Sequence, residues 1–241
     1  MLNGLFAKLR GYGELSAEQQ ELLSQACGEP VAVSKGMDLV VQGTSPSASC
    51  LLLEGLAGRY KMSRDGDRQI TALHVAGDFV DIHSLLKRPL DDSVGCLTDC
   101  KVAYFSHGRL RELIEPDFGL AAMLWHNTLV DGAISREWLV GMGLLQAEPH
   151  TAHLLCEMYL RLERVGLATE LTFQLPLSQG ELADVLGLSV VHMNRTVQSL
   201  RASELVVWKG ATVDIPDWDR LADFAEFDPA YLGWGPNLRP D

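Results

Sequence analysis

The stretch from Leu177 to Leu205, LSQGELADVLGLSVVHMNRTVQSLRASEL, constrains this chain more than any other part of it. Ser178-x-x-Glu181 is a capping box, in which a hydroxyl and a carboxylate reciprocally satisfy backbone donors where a helix starts. Leu182, Val185 and Leu186 supply the buried face of that helix, and Ala183 is small where a second helix can cross closely. Gly187 falls where the chain must turn sharply. Ser189 then caps a second helix that points Met193, Val197 and Leu200 inward and presents Val190, Val191, His192, Asn194, Arg195 and Gln198 outward. This spacing predicts a helix-turn-helix. Downstream, ELVVWKGATVDI reads as two short strands about Lys209-Gly210, a wing with Lys209 at its tip. A plain helical bundle with a hairpin would not need cap, small crossing residue, glycine turn, second cap and wing in this order.

Such an outer face can read base edges. Arginine bonds guanine O6 and N7 together, asparagine pairs with an adenine edge or a phosphate, and valine touches a thymine methyl. The charge balance limits how this can work. The net charge is -12, and between Glu148 and Arg220 the cations Arg161, Arg164, Arg195, Arg201, Lys209 and Arg220 are outnumbered by acids. No bulk positive field draws double-stranded DNA to the chain, so binding must be local. It must use few cations together with helix N-termini, the hydroxyls of Ser178 and Ser189, and a dimer to double them.

The rest of the 241 residues supports an α+β architecture. With 47% hydrophobic and 22% charged residues the chain can bury a sizeable core. Ser16 to Cys27 is a short capped helix with Leu22, Leu23 and Ala26 on one stripe. From Val31 to Ser106, short β-rich runs alternate with glycines, as in a β-roll or barrel. Two of them, LAGRYKMS and RQITALHV, flank Asp65-Gly66, a strong hairpin signal. After the RLRELIE helix and Pro116, Asp117 to Gln146 has helical spacing and two apolar stripes. One holds Leu120, Leu124, Ile134, Trp138 and Leu145; the other holds Trp125, Leu129, Arg136 and Val140. Two stripes need two burying surfaces, one in the chain's own β domain and one in a second copy, which predicts a homodimer. The first stripe, with Asn127 and nearby Asp131, is expected at the seam.

Gly143 to Pro149 breaks the pattern; Thr151 to Arg164 is a further amphipathic helix and TELTFQLPL a strand. The expected domains are 1–115, a β-roll; 116–146, the dimerisation helix; and 147–241, the winged helix-turn-helix. The tail YLGWGPNLRPD reads as poorly ordered. The longest apolar runs, Leu120 to Trp125 and Cys50 to Leu53, are far short of a bilayer span, and MLNGLFAKLRGYGEL carries Glu14 where a signal peptide would carry a cleavage site. With five scattered cysteines and no C-x-x-C pair, these features point to the cytoplasm and reduced thiols, without a membrane partner.

The order β-roll, long helix, winged helix-turn-helix resembles the Crp/Fnr superfamily of bacterial transcription regulators over nearly the whole chain. Gly55-Leu56, Arg59-Tyr60 and Gly77-Asp78-Phe79 carry the resemblance in the roll, and GLSVVHMNRTVQSLR carries it most specifically. It implies a regulator that binds a pseudo-palindrome as a homodimer, with Asn194 and Arg195 on DNA, RNA polymerase as a further partner and no enzymatic activity. Val191 stands where well-known members carry a glutamate that accepts from cytosine N4. In cyclic-nucleotide-binding relatives a Gly-Glu pair follows Gly-Asp-Phe, and an Arg-Ser pair holds ribose and phosphate. Here those segments read Val80-Asp81-Ile82-His83 and Leu90-Asp91-Asp92-Ser93, so acids stand where a cyclic phosphate wants a cation. Cyclic AMP is not the expected effector. Iron-sulfur relatives place a cysteine cluster near the first helix, where this chain has Cys27 alone.

The remaining candidates are weaker. Cys96 and Cys100, read on one strand, would share a face but lie too far apart for a disulfide, and are expected as core thiols. His150, His153 and Cys156 recur every third residue but spread around their helix, as surface and core residues do. His74 and His83 could bind haem, as in some relatives, though lone histidines are usually structural. Asp81, His83 and Ser84 cannot form a triad, because neighbouring residues of one strand face opposite sides. A ligand-sensing or redox-sensing module, using haem or a thiol, with a secondary DNA role is the rival reading.

Overall fold

The computed structural model describes residues 1–86 and 89–234, which form two compact units: Met1–Lys61 with Ala72–Gly132, and Met62–Thr71 with the chain from Ala133 onward. The first unit opens with a helix that the sequence pattern did not anticipate, α1 (Asn3–Tyr12). Leu5 and Leu9, one turn apart, bury one side of it, and Lys8 is buried in an ion pair with Asp78. The helix lies close on the turn before Phe79. A Cβ at Gly77 would sit 2.5 Å from the Gly4 carbonyl carbon, and Gly77 has φ +89°, so only glycine fits there. The second helix, α2 (Ala17–Ala26), has the expected Ser16 cap, reciprocated by Gln19.

The roll comprises β1 (Val31–Val33), β2 (Asp38–Val40), β3 (Ala48–Glu54), β4 (Ala57–Met62), β5 (Arg68–His74), β6 (Ser93–Cys96) and β7 (Cys100–Ser106). They form two antiparallel sheets, ordered β1-β7-β3 and β2-β6-β4-β5. Asp65-Gly66 makes the expected turn, with Gly66 at φ +93°. Val40, Cys50, Leu52, Val80, Leu90, Val94 and Val102 fill one core. Phe79 and Phe105, edge to face with centroids 5.1 Å apart, belong to a second core that also takes Leu5 and Leu9 of α1. Ser106 caps α3 (His107–Ile114).

The long helix is α4 (Phe118–Leu144), close to its expected limits. Asp117 starts it: its carboxylate accepts from the Leu120 N–H at 2.9 Å and from Gln19 Nε2 at 2.7 Å, and these bonds hold its carboxyl below the usual range. The two stripes are present, and the chain itself covers the first of them. Leu120, Leu124, Asn127, Ile134 and Trp138, expected at a partner seam, are buried within this chain, and Leu145 is half-buried. Leu120 and Leu124 join the core of the first unit, and Trp138 Nε1 donates to Glu157 at 2.9 Å in the second. The opposite stripe stays in solvent: Trp125 is 64% exposed, Leu129 57% and Leu139 71%, and Val140 lies beside them.

In the second unit α5 (Ala147–Arg164), expected to be amphipathic, is buried on every side from His150 to Leu162. Its two buried charges are satisfied inside: Glu157 accepts from Trp138 Nε1, from the Tyr231 hydroxyl at 2.9 Å and from Arg161 Nη1 at 2.8 Å. That network also corrects the reading of the tail. Tyr231 and Leu232 lie in a 3-10 turn with Leu232 fully buried; residues 235–241 fall outside the described residues. The unit continues through β8 (Ala168–Thr169), β9 (Thr172–Gln174), α6 (Gln179–Leu186), α7 (Val190–Ala202), β10 (Val207–Lys209), β11 (Thr212–Asp214) and α8 (Trp218–Phe224). Its sheet order is β10-β11-β9-β8. No helix among the described residues is long and apolar enough to cross a membrane.

Candidate nucleic-acid interface

The helix pair α6–α7 forms as its local signals require. Ser178 Oγ accepts from the Glu181 N–H at 3.1 Å, and Glu181 Oε2 accepts from the Ser178 N–H at 2.7 Å. Gly187 ends α6 in the left-handed region at φ +67°. Ser189 Oγ accepts from the His192 N–H at 3.2 Å and starts α7. Leu182, Ala183, Val185, Leu186, Met193, Val197 and Leu200 are all buried. Thr196 is buried as well, its hydroxyl satisfied by the His192 carbonyl at 3.0 Å. Within the same unit, the hairpin between β4 and β5 closes the other end of α6. Arg68 Nε and Nη2 each lie 2.8 Å from Asp184 Oδ2, and Gln69 Nε2 donates to the Asp184 carbonyl at 2.7 Å. That carbonyl is one of those a helix end leaves without an internal partner.

The outer face is as expected. Val190 and Val191 are 52% and 64% exposed, and His192, Arg195 and Gln198 are exposed with them. Ser178 and Ser189 are exposed and use an oxygen lone pair for capping, which leaves each hydroxyl proton to donate outward. Lys209 is exposed at the start of the Gly210-Ala211 turn, across from Thr212. Asn194 differs: it is half-buried, its Nδ2 donates to Gln179 Oε1 at 2.9 Å, and its Oδ1 accepts from Gln198 Nε2 at 2.8 Å. Gln179 escaped sequence reading because it meets Asn194 only when the glycine turn folds α7 back across α6. Its place directly after the Ser178 cap was the available signal. Of the cations in this part of the chain, Arg161 is buried on Glu157, Arg164 is half-buried over the Trp234 ring, and Arg220, though exposed, donates to the Ser203 carbonyl; Arg195, Arg201 and Lys209 are exposed as well.

In the roll, the segments expected to meet a cyclic nucleotide hold one another. Arg59 Nη2 donates to the Val80 carbonyl at 2.8 Å, and its Nε lies 3.3 Å from Asp92 Oδ2. Lys61 Nζ donates to the Asp91 carbonyl at 2.6 Å and lies 3.7 Å from Asp91 Oδ2. Asp81 turns inward and accepts from the Cys50 N–H at 2.6 Å; burial lifts its carboxyl to about 6.

Cys96 and Cys100 lie at the end of β6 and the start of β7, not on one strand as expected. Both are buried, and burial, followed by the neighbouring Cys100, pushes the Cys96 thiol up. On α5 the three residues diverge, as their spread around the helix requires: His150 packs on Gly141, His153 Nε2 lies 3.2 Å from the Tyr231 hydroxyl, and Cys156 is fully buried. His74 is buried with Asp78 Oδ2 4.0 Å from its Nδ1, and His83 lies half-buried in the 3-10 turn Ile82–Leu85. Ser84 meets a histidine, but it is His107, 3.0 Å away and also 3.2 Å from Ser49 Oγ, and all three are buried.

Two family models match the chain: a cyclic nucleotide-binding domain over residues 30–117 and a Crp-like helix-turn-helix domain over residues 150–224. Among curated proteins, the chain is 29% identical to the transcriptional activatory protein AadR of Rhodopseudomonas palustris over 178 residues, 73% of this chain and 70% of that one. It is 23% identical to the fumarate and nitrate reduction regulatory protein of Vibrio cholerae over 218 residues, 88% of this chain and 84% of that one. Among solved structures, FixK2 from Bradyrhizobium japonicum superposes with a TM-score of 0.71 at 22% identity, covering 81% of this chain and 96% of that one.

Proposed function

This chain belongs to the Crp/Fnr superfamily of bacterial transcription regulators, and from that premise we propose that it binds a pseudo-palindromic DNA site as a homodimer in the cytoplasm. The observation that carries this reading is the outer face of α7, a capped helix whose exposed Val190, Val191, His192, Arg195 and Gln198 face solvent while its other side is locked against α6. Arg195 anchors a guanine edge or its phosphate, Val190 and Val191 favour thymine methyls, and Ser178, Ser189 and Lys209 position the helix on the backbone. The exposed stripe Trp125, Leu129, Leu139 and Val140 supports the dimer, since a monomer would leave it wet. Contact with RNA polymerase bound beside the site completes the reading.

The roll does not take cyclic AMP in this proposal. Among the described residues, the cations beside the Asp91–Asp92 segment, Arg59 and Lys61, are engaged by Asp92 and Asp91, so neither charge is free for a phosphate. Calorimetry with cyclic AMP should show no saturable heat in the micromolar range, and saturable heat there would overturn this part. A thiol sensor is disfavoured because Cys50, Cys96, Cys100 and Cys156 are all buried and burial pushes the half-buried Cys27 thiol up, whereas reactive thiols need exposure and a low pKa. The DNA reading is tested with Arg195→Ala on a duplex selected by the wild type. Fluorescence anisotropy should show a loss of about 1 to 3 kcal/mol. Unchanged affinity would mean that α7 does not meet the bases.

A further inference from the structure

Gln179, Asn194 and Gln198 form one chain of side-chain amides on the exposed side of the α6–α7 pair, and a role for that chain rests on the DNA-binding function already proposed. Gln198 Nε2 donates to Asn194 Oδ1 over 2.8 Å, and Asn194 Nδ2 donates to Gln179 Oε1 over 2.9 Å. Each amide thus donates to the next in the direction of α6. Turning over any single amide would set two oxygens or two NH2 groups face to face, so the three amides keep one common direction, which in the structure runs from Gln198 to Gln179. Gln179 ends it with an NH2 group, and Gln198 ends it with a carbonyl oxygen. Asn194 is half-buried between them, whereas Gln198 stands exposed on the same face as Val191 and Arg195, at the seven- and three-residue spacing that places them together.

In the major groove, adenine and cytosine present exocyclic amines that donate, and guanine and thymine present carbonyls that accept. We propose that Gln198, held in this order by Asn194 and Gln179, is a specificity-determining residue. It presents an acceptor to the groove, so that one position in each half-site selects an amino base, adenine or cytosine, over a keto base. Gln179 touches no base in this arrangement. It is a positioning residue, acting through Asn194.

Selection from a random-sequence duplex pool, followed by anisotropy on duplexes differing at that position, tests this with the full chain. The wild type should prefer an amino base about tenfold, the size of one discriminating hydrogen bond. Gln179→Ala removes the acceptor for Asn194 and frees both remaining amides to turn, so the preference should fall to about twofold. Gln179→Glu keeps an oxygen facing Asn194 Nδ2 and should keep the preference, even where the added charge weakens binding to every sequence. Gln198→Leu should erase the preference at the same position. Gln179 and Gln198 are exposed, so thermal midpoints should stay at the wild-type value, and the readout is base choice rather than folding. A keto preference in the wild type, or a preference that survives Gln179→Ala, overturns the proposal while leaving DNA binding intact. If the wild type enriches no sequence at all, the DNA-binding reading fails and this proposal with it.

Discussion

Replacing both Leu129 and Leu139 with serine should dissociate the proposed dimer without unfolding the protomer. These side chains are 57% and 71% exposed in the single chain, so most of their apolar surface remains to be covered by a partner. Full burial of a leucine stabilises by roughly 2 kcal/mol, so covering these exposed fractions contributes about 2.5 kcal/mol per protomer and about 5 kcal/mol per symmetric pair. At about 1.4 kcal/mol per factor of ten, the double variant should raise the dimer Kd by a factor between about a thousand and ten thousand. Sedimentation velocity at micromolar concentration reads this directly, as a shift from dimer to monomer. Ile134→Ser is the contrasting variant. Ile134 is 4% exposed inside its own chain, so the change should lower the thermal midpoint and leave the association of folded protein near wild type. A double variant that stays dimeric with an unchanged Kd, or an Ile134→Ser protein that is folded but monomeric, would refute the assignment of the two stripes.

Burial lifts Asp81 above its unfolded value of 3.8 to about 6, so the folded state holds the extra proton between these values; stability should fall by about 2 kcal/mol as pH rises from 4 to 6. Urea unfolding of Asp81→Asn should lack this contribution, and an identical pH dependence in both proteins would exclude it. His150 has the opposite sign: burial, and then His153, lower it from 6.5 to about 4, so its contribution is complete above pH 6.5 and is lost, by about 3 kcal/mol, as pH falls toward 4. His150→Leu should lose less stability than wild type between pH 7 and pH 4.5, and an equal loss would contradict the assignment. With Arg195, Arg201 and Lys209 exposed and the exposed Arg220 held on the Ser203 carbonyl, the fall of log affinity with log salt should correspond to ~4 to 6 neutralised phosphates per dimer, and a much steeper slope would show that other cations reach the DNA. Val191→Glu places a carboxylate on the exposed first turn of α7 and should shift one selected base pair per half-site toward cytosine; identical selected sequences from both proteins would show that Val191 does not face the bases.

What could be read in the sequence was what is local. The capping box at Ser178, the left-handed Gly187 and the Ser189 cap each depend on residues within a few positions, and the structure forms all three. The Asp65-Gly66 hairpin was legible for the same reason. Periodicity found both stripes of α4 but could not say which one the chain covers itself, because that depends on Leu120 meeting a core assembled from α1, β3 and β7. The tail misled through its glycines and prolines, since the buried Glu157 that Tyr231 bonds lies 74 residues away. Gln179 was invisible as a functional residue for a related reason: its amide matters only through a partner on the next helix.

The most direct test of the central claim is random-site selection with the unmodified full chain, followed by footprinting of the enriched duplex. Two α7 helices related by a two-fold axis should enrich an inverted repeat whose half-site centres lie about 10 base pairs apart, with protection confined to one face of the duplex. Failure to enrich any sequence, or enrichment of a single unrepeated site, would contradict it.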